Sequence, residues 1–178
     1  MKKLDAIISP VIGFLIGVFF FVVLKITEIK IPFNYLLPII FPPLAFLGMS
    51  IASFLGKKFL IVLQAARFVL VGALNTFIDL GVLNSLIWFS GVAAGPLYSL
   101  FKGVSFLVAT VNSYFWNKYW TFGKVQEAPG PREFSKFLTV VAIGFFLNVG
   151  IASVVVNVIG PQFGIGEKIW ASIGAPFY

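Results

Sequence analysis

The sequence predicts an all-α fold, a polytopic bundle of membrane helices, and three observations carry that prediction. Of 178 residues, 60% are hydrophobic and only 11% charged, where soluble domains carry about a quarter charged residues. Uncharged apolar runs close to the roughly 20 residues needed to cross a bilayer recur along the chain. There is no Cys and no His, which excludes disulfides and the thiolate and imidazole ligands of zinc chemistry, so no metal site is expected. Six spans would take about 120 positions and leave loops too short for an extramembrane catalytic domain. The expectation is therefore a membrane protein that is not an enzyme and carries no cofactor.

The first span is AIISPVIGFLIGVFFFVVL, residues 6–24, bounded by Lys2, Lys3 and Asp5 before it and Lys25 after it. Its Met-Lys-Lys start also fits a signal peptide, but the run is long and no small-residue cleavage pattern follows, which favours an uncleaved anchor. A second span covers 35–55, where Pro38, Pro42 and Pro43 each remove a backbone donor and predict a kinked or partly unwound helix. Residues 57–67, KKFLIVLQAAR, read as a short interfacial helix. The third span, 68–89, and the fourth, 97–119, form a hairpin through the uncharged turn SGVAAGP. A polar loop at 123–135 precedes a fifth span at 137–159, and a sixth apolar stretch starts near Ile165. Its 14 residues to Tyr178 would cover about 21 Å, short of the roughly 30 Å hydrocarbon core, and the reading frame is expected to continue past Tyr178.

Loop charge predicts the orientation. With the N-terminus inside, one face receives Lys2, Lys3, Lys57, Lys58, Arg67, Lys118, Lys124, Arg132 and Lys136, and the other Lys25, Lys30 and Lys168. Nine against three places the N-terminus and the loop at Gln126 in the cytoplasm and Ala93 outside. The formal charge of +7 then reflects loops facing anionic lipid, not nucleic acid. A weak internal repeat is also present. Shifting 68–87 by 69 positions onto 137–156 pairs Phe68 with Phe137, Val71 with Val140, Ala73 with Ala142, Phe77 with Phe146 and Gly81 with Gly150. The same shift sets Asp79 opposite Asn148. Each copy holds two helices, an even number, so the two copies form a parallel repeat.

Asp79 lies in mid-span, where a carboxylate must find a partner, water or a proton. Its structural reading is an interhelical hydrogen bond to Asn148, Asn75 or Ser105. Lys102 in the fourth span either reaches down to Asp79 or snorkels to the outer surface. The segment NSYFWNKYWTF, 112–122, ends the fourth span with Asn112, Trp116, Asn117, Lys118 and Trp120. It reads either as an aromatic anchoring belt or as a binding surface. In the second case Lys118 with Arg67 holds a lipid phosphate, Asn112 and Asn117 bond hydroxyls, and an indole stacks on a sugar ring.

RFVLVGALNTFIDLGVLNSLI, then SFLVATVNSYFWNKYWTF, then FSKFLTVVAIGFFLNVG together resemble the GtrA-like family, whose transmembrane domain is also found on dolichol-phosphate-mannose synthases. The most specific elements are the Arg-Phe-x-x-Val-Gly opening at 67–72 and the Asn-Ser-Tyr-x-x-Asn-Lys-x-Trp-Thr-Phe exit at 112–122. The resemblance implies a four-helix domain over 67–178, its last helix incomplete, preceded by a two-helix segment over 1–66 that lies outside the usual family region. It further implies movement of a polyprenyl-phosphate-linked sugar across the cytoplasmic membrane in polysaccharide or glycan synthesis. Arg67, Asn75, Asp79, Lys102, Asn112, Trp116, Asn117, Lys118, Trp120 and Asn148 are then the residues expected to meet the substrate. Two alternatives stay open, an anchor presenting the lipid carrier to a glycosyltransferase partner and a small ion-coupled exporter using Asp79 as a proton site. Membrane lipid is an expected partner, and a homo-oligomer is left open.

Overall fold

The structure is a computed structural model that describes residues 1–123, 131–162 and 164–174, with backbone alone over 131–138 and 173–174. The described residues are mainly helical, with no strand among them. The helices are α1 (Lys3–Ile26), α2 (Leu37–Leu55), α3 (Leu60–Ser90), α4 (Gly95–Trp116), α5 (Pro131–Val154) and α6 (Glu167–Gly174). A single 3₁₀ turn, Asn34–Leu36, leads into α2. Turns of π-helix, Asn117–Thr121 and Val155–Ile159, extend α4 and α5. Four stretches among the described residues, Lys3–Ile26, Asn34–Leu55, Leu60–Ser90 and Thr139–Ile159, are long and apolar enough to cross a membrane. At 22 residues and roughly 33 Å, α4 is also long enough. It falls outside that group because Ser99, Lys102, Ser105 and Asn112 make it more polar. Side chains such as Phe14, Ile39, Phe54, Val69, Phe89 and Phe146 are exposed, a pattern that lipid accommodates and water would not.

Two expectations are corrected. Residues 57–67 do not form a separate short helix, because α3 runs without a break from Leu60 to Ser90. No Gly or Pro interrupts residues 60–71, and Arg67 is absorbed by an ion pair instead of marking a helix end. Nor do Pro42 and Pro43 unwind α2, which stays helical around them. Pro38 sits in the first turn, where a missing N–H costs nothing. The other two each delete one i→i−4 bond, a loss that a packed membrane helix tolerates.

The chain forms two compact units. The first holds residues 1–78 and 112–125. In it α1 and α2 lie antiparallel and very close, because Gly13 and Gly17 turn their missing side chains toward α2. A Cβ at Gly13 would stand 2.5 Å from the Phe41 carbonyl oxygen, and one at Gly17 would stand 2.5 Å from that of Leu37. This is the small-xxx-small contact by which membrane helices gain van der Waals energy that lipid cannot supply. Gly17→Ala is accordingly expected to cost about 1–3 kcal/mol, since the obstruction is backbone and cannot rotate away. Denaturant titration in detergent micelles measures it, with Gly48→Ala, at a position with open space around it, as the neutral control. Phe20 of α1 also packs on Phe77 of α3 with ring centroids 4.9 Å apart.

The second unit holds residues 79–111 and 126–178. Gly91 and Gly95, both at positive φ, close the α3–α4 turn. Its apolar core is Leu83, Ile87, Ala93, Tyr98, Ala152, Val156 and Ala171. Polar cross-links surround that core: the Tyr98 hydroxyl donates to the Ala171 carbonyl at 3.1 Å, Ser172 to Asn84 Oδ1 at 2.6 Å, and Ser153 to Ser99 at 2.7 Å. The first two hold α6 against α4 and α3, and the third joins α5 to α4.

Candidate functional site

The candidate residues fall into three groups, two in the first unit and one in the second. In the first unit Asp5, Arg67 and Trp120 form a buried cluster. The Arg67 guanidinium donates through Nη2 to Asp5 Oδ2 at 2.8 Å and through Nη1 to the Trp120 carbonyl at 3.2 Å. The Trp120 indole N–H donates to Asp5 Oδ1 at 3.0 Å, and the guanidinium carbon lies 5.9 Å from an indole ring centroid. Asp5 is 0% and Arg67 9% exposed, so this is a charge pair taken out of solvent, where hydrogen bonds to both carboxylate oxygens offset desolvation. The π-helical turn at 117–121 makes the contact possible. A wider turn re-aims the side chains that follow Trp116 relative to an α-helix, as π-turns at functional sites commonly do.

The second group continues along the exit segment. Asn112 donates to Asn75 Oδ1 at 2.7 Å and accepts from the Trp116 indole at 3.1 Å. Asn117 donates to the Ser113 hydroxyl at 3.1 Å, while its own Oδ1 is buried without a partner among the described residues. The Lys118 ammonium stands 3.4 Å from the Tyr114 hydroxyl and 5.6 Å from the centroids of both the Tyr114 and Tyr119 rings. It forms no ion pair among the described residues. Of the two indoles expected to meet a sugar, Trp120 is buried and committed to Asp5, whereas Trp116 is partly exposed.

The third group lies in the second unit. Lys102 donates to Asp79 Oδ2, and Ser105 donates to Asp79 Oδ1 at 2.5 Å. Lys102 and Ser105 are fully buried and Asp79 is 5% exposed. Lys102 therefore reaches the acid and does not snorkel, and Ser105 is the member of the expected set of hydrogen-bond partners that the carboxylate takes. Asn148, which the repeat sets opposite Asp79, is also buried, and its Oδ1 has no hydrogen-bond partner among the described residues. A buried amide oxygen left without a donor is a costly feature.

Sequence reasoning overlooked Asp5. It was legible only as a flanking charge, although a carboxylate in the first turn of an apolar helix is a signal for a buried basic partner. Both aspartates of the chain, Asp5 and Asp79, prove to be buried against a cation.

Residues 67–176 match the GtrA/DPMS transmembrane domain, more than half of the chain. The chain belongs to this family. It is also similar to a Bacillus subtilis (strain 168) protein described as an uncharacterized membrane protein, YngA, with 33% identity over 119 residues, 58% of this chain and 76% of that protein. No solved structure matches. This GtrA/DPMS chain is thus a multi-pass membrane protein whose family region opens at Arg67 and includes Asn75, Asp79, Lys102, the exit segment and Asn148. Asp5 lies outside that region.

Proposed function

We propose that this protein moves a polyprenyl-phosphate-linked sugar between membrane leaflets in polysaccharide or glycan synthesis, without making or breaking a bond. The observation that carries the reading is Lys118. This cation ends a membrane helix between two tyrosine rings and has no carboxylate partner among the described residues. Near an interface such a group attracts a lipid phosphate at little desolvation cost. Beside it Asn112, Trp116 and Asn117 present amide and indole groups of the kind that bind sugar hydroxyls and ring faces. For the transit itself, Asp79, Lys102, Ser105 and Asn148 supply polar groups at depths where lipid supplies none.

Family membership supports this reading, and the nine-to-three charge bias supports a cytoplasmic N-terminus in the cytoplasmic membrane. The orientation has a direct check. Ala94 is exposed in the α3–α4 turn, so Ala94→Cys in this cysteine-free chain should label from outside only, and Lys58→Cys from inside only. Labelling of Ala94→Cys from the cytoplasmic face would reverse the orientation.

The function is tested in proteoliposomes carrying a fluorescent polyprenyl-phosphate sugar, with a membrane-impermeant quencher added outside. The wild-type protein should expose the inner-leaflet pool to quenching. Lys118→Ala should weaken binding by about tenfold, the equivalent of one charge-assisted hydrogen bond, while leaving membrane insertion unchanged. A wild-type protein that leaves the inner pool protected would sink the reading.

A further inference from the structure

Arg67 and Trp120 stand in the two most specific motifs of the family region, yet both are spent on a residue from outside it. Asp5 belongs to α1, and its two oxygens are divided between the Arg67 guanidinium and the Trp120 indole N–H. One oxyanion held by a cationic fork and an indole donor, with the fork lying over that indole, is the geometry of an anion-binding site already filled. The filling is incomplete. Arg67 Nε is buried with no hydrogen-bond partner among the described residues, and so is the hydroxyl of Thr121, the residue after Trp120 in sequence. A carboxylate has only two oxygens, and both are used. A phosphate group carries four oxygens around one phosphorus, enough to meet Nε together with Nη2 in the bidentate manner that guanidinium prefers while keeping the indole contact.

We propose that Arg67 and Trp120 form a seat for a lipid phosphate, and that Asp5 is its built-in occupant, so that the N-terminal helix competes with the lipid for the site. A displaced carboxylate stays in the first turn of α1, where the helix dipole offsets part of its charge, and it is close in sequence to Lys2 and Lys3, which are both exposed. The arrangement is autoinhibitory: the seat is closed at rest and opens only when phosphate outcompetes the carboxylate. The identity of the lipid rests on the translocation reading; the seat itself does not.

The test uses the full chain in nanodiscs, with binding followed by tryptophan fluorescence. The probes are a polyprenyl monophosphate and, as a phosphate lipid without the polyprenyl tail, dioleoyl phosphatidic acid. Asp5→Asn removes the competing charge with almost no change of shape and should bind phosphate lipid at least tenfold more tightly than the wild type. That gain should vanish in the Asp5→Asn/Arg67→Met double variant. In the unaltered protein, saturating phosphate lipid should speed amide hydrogen exchange at residues 5–9 as the first turn of α1 is released. A gain with either lipid supports the seat, and a gain confined to the polyprenyl lipid also supports its role in the proposed function. No gain with either lipid overturns the proposal and leaves Asp5 as a simple anchor. If Asp5→Asn does not fold, the exchange measurement on the unaltered protein decides alone, and unchanged exchange overturns it. Tighter phosphate binding without any translocation would sink the proposed function and keep the seat.

Discussion

Lys102→Met is expected to destabilise the protein by about 3–5 kcal/mol, because it strands the buried Asp79 carboxylate with Ser105 as its remaining donor. Asp79→Asn is the mirror case, leaving the Lys102 ammonium fully buried and facing a neutral amide. The double variant Asp79→Asn/Lys102→Met removes both charges and should recover most of the lost stability, since a neutral pair of similar volume has no Born cost to repay. Unfolding titrations of the three variants in one detergent measure this, and the cycle isolates the coupling between the two residues. Translocation separates structure from function in the same set. If the pair stabilises the sugar in transit, the double variant should be stable yet slow, because only contacts stronger in the transition state raise the rate. A stable double variant with normal transport would assign Asp79 and Lys102 to architecture alone.

Arg67→Met should cost a comparable amount, about 3–5 kcal/mol, by the same physics in the first unit. Among the described residues it leaves the fully buried Asp5 carboxylate with the Trp120 indole as its one side-chain donor. Asp5→Asn in the Arg67→Met background should restore most of that loss, because the asparagine amide oxygen still accepts from the indole and no charge remains to be desolvated. By contrast Trp120→Phe removes one hydrogen bond to a charged acceptor and should cost about 1.5–3 kcal/mol, besides any loss of packing. Thermal unfolding in micelles tests the order. Failure of Asp5→Asn to rescue Arg67→Met would mean that the cost lies in packing around the arginine stem and not in the stranded charge.

Much of the architecture is legible in the sequence. The runs at 6–24, 68–89 and 137–159 coincide with α1, most of α3 and most of α5 with its π-turn. In lipid a continuous apolar stretch has no alternative to a helix that satisfies its own backbone. The hairpin at SGVAAGP was legible for a related reason, since Gly91 and Gly95 supply the positive φ the turn requires. The motifs at 67–72 and 112–122 were enough to place the family. Less legible were the features where local rules compete. Prolines 42 and 43 argued for a kinked or partly unwound helix, yet α2 stays helical around them, and the basic ends of 57–67 argued for a separate interfacial helix where the chain from Leu60 on runs into α3.

Composition and order of residues, by themselves, determined that the chain is an all-α membrane protein of the GtrA/DPMS family, that Asp79 needed a partner, water or a proton, and that Lys102 either met it or snorkelled outward. Which partner each one took was decided only by the tertiary structure. Hydrophobic periodicity says which side chains avoid water, but an ion pair is selected by distance and angle between residues far apart in sequence. Arg67 and Asp5 are 62 positions apart, and Trp120 and Asp5 are 115 apart. No local pattern encodes that meeting. The approach of α1 to α2 at Gly13 and Gly17 and the π-turn at 117–121 arise in the packed chain, and the π-turn sets the direction in which Trp120 points. The same packing put a carboxylate where the sequence suggested a phosphate.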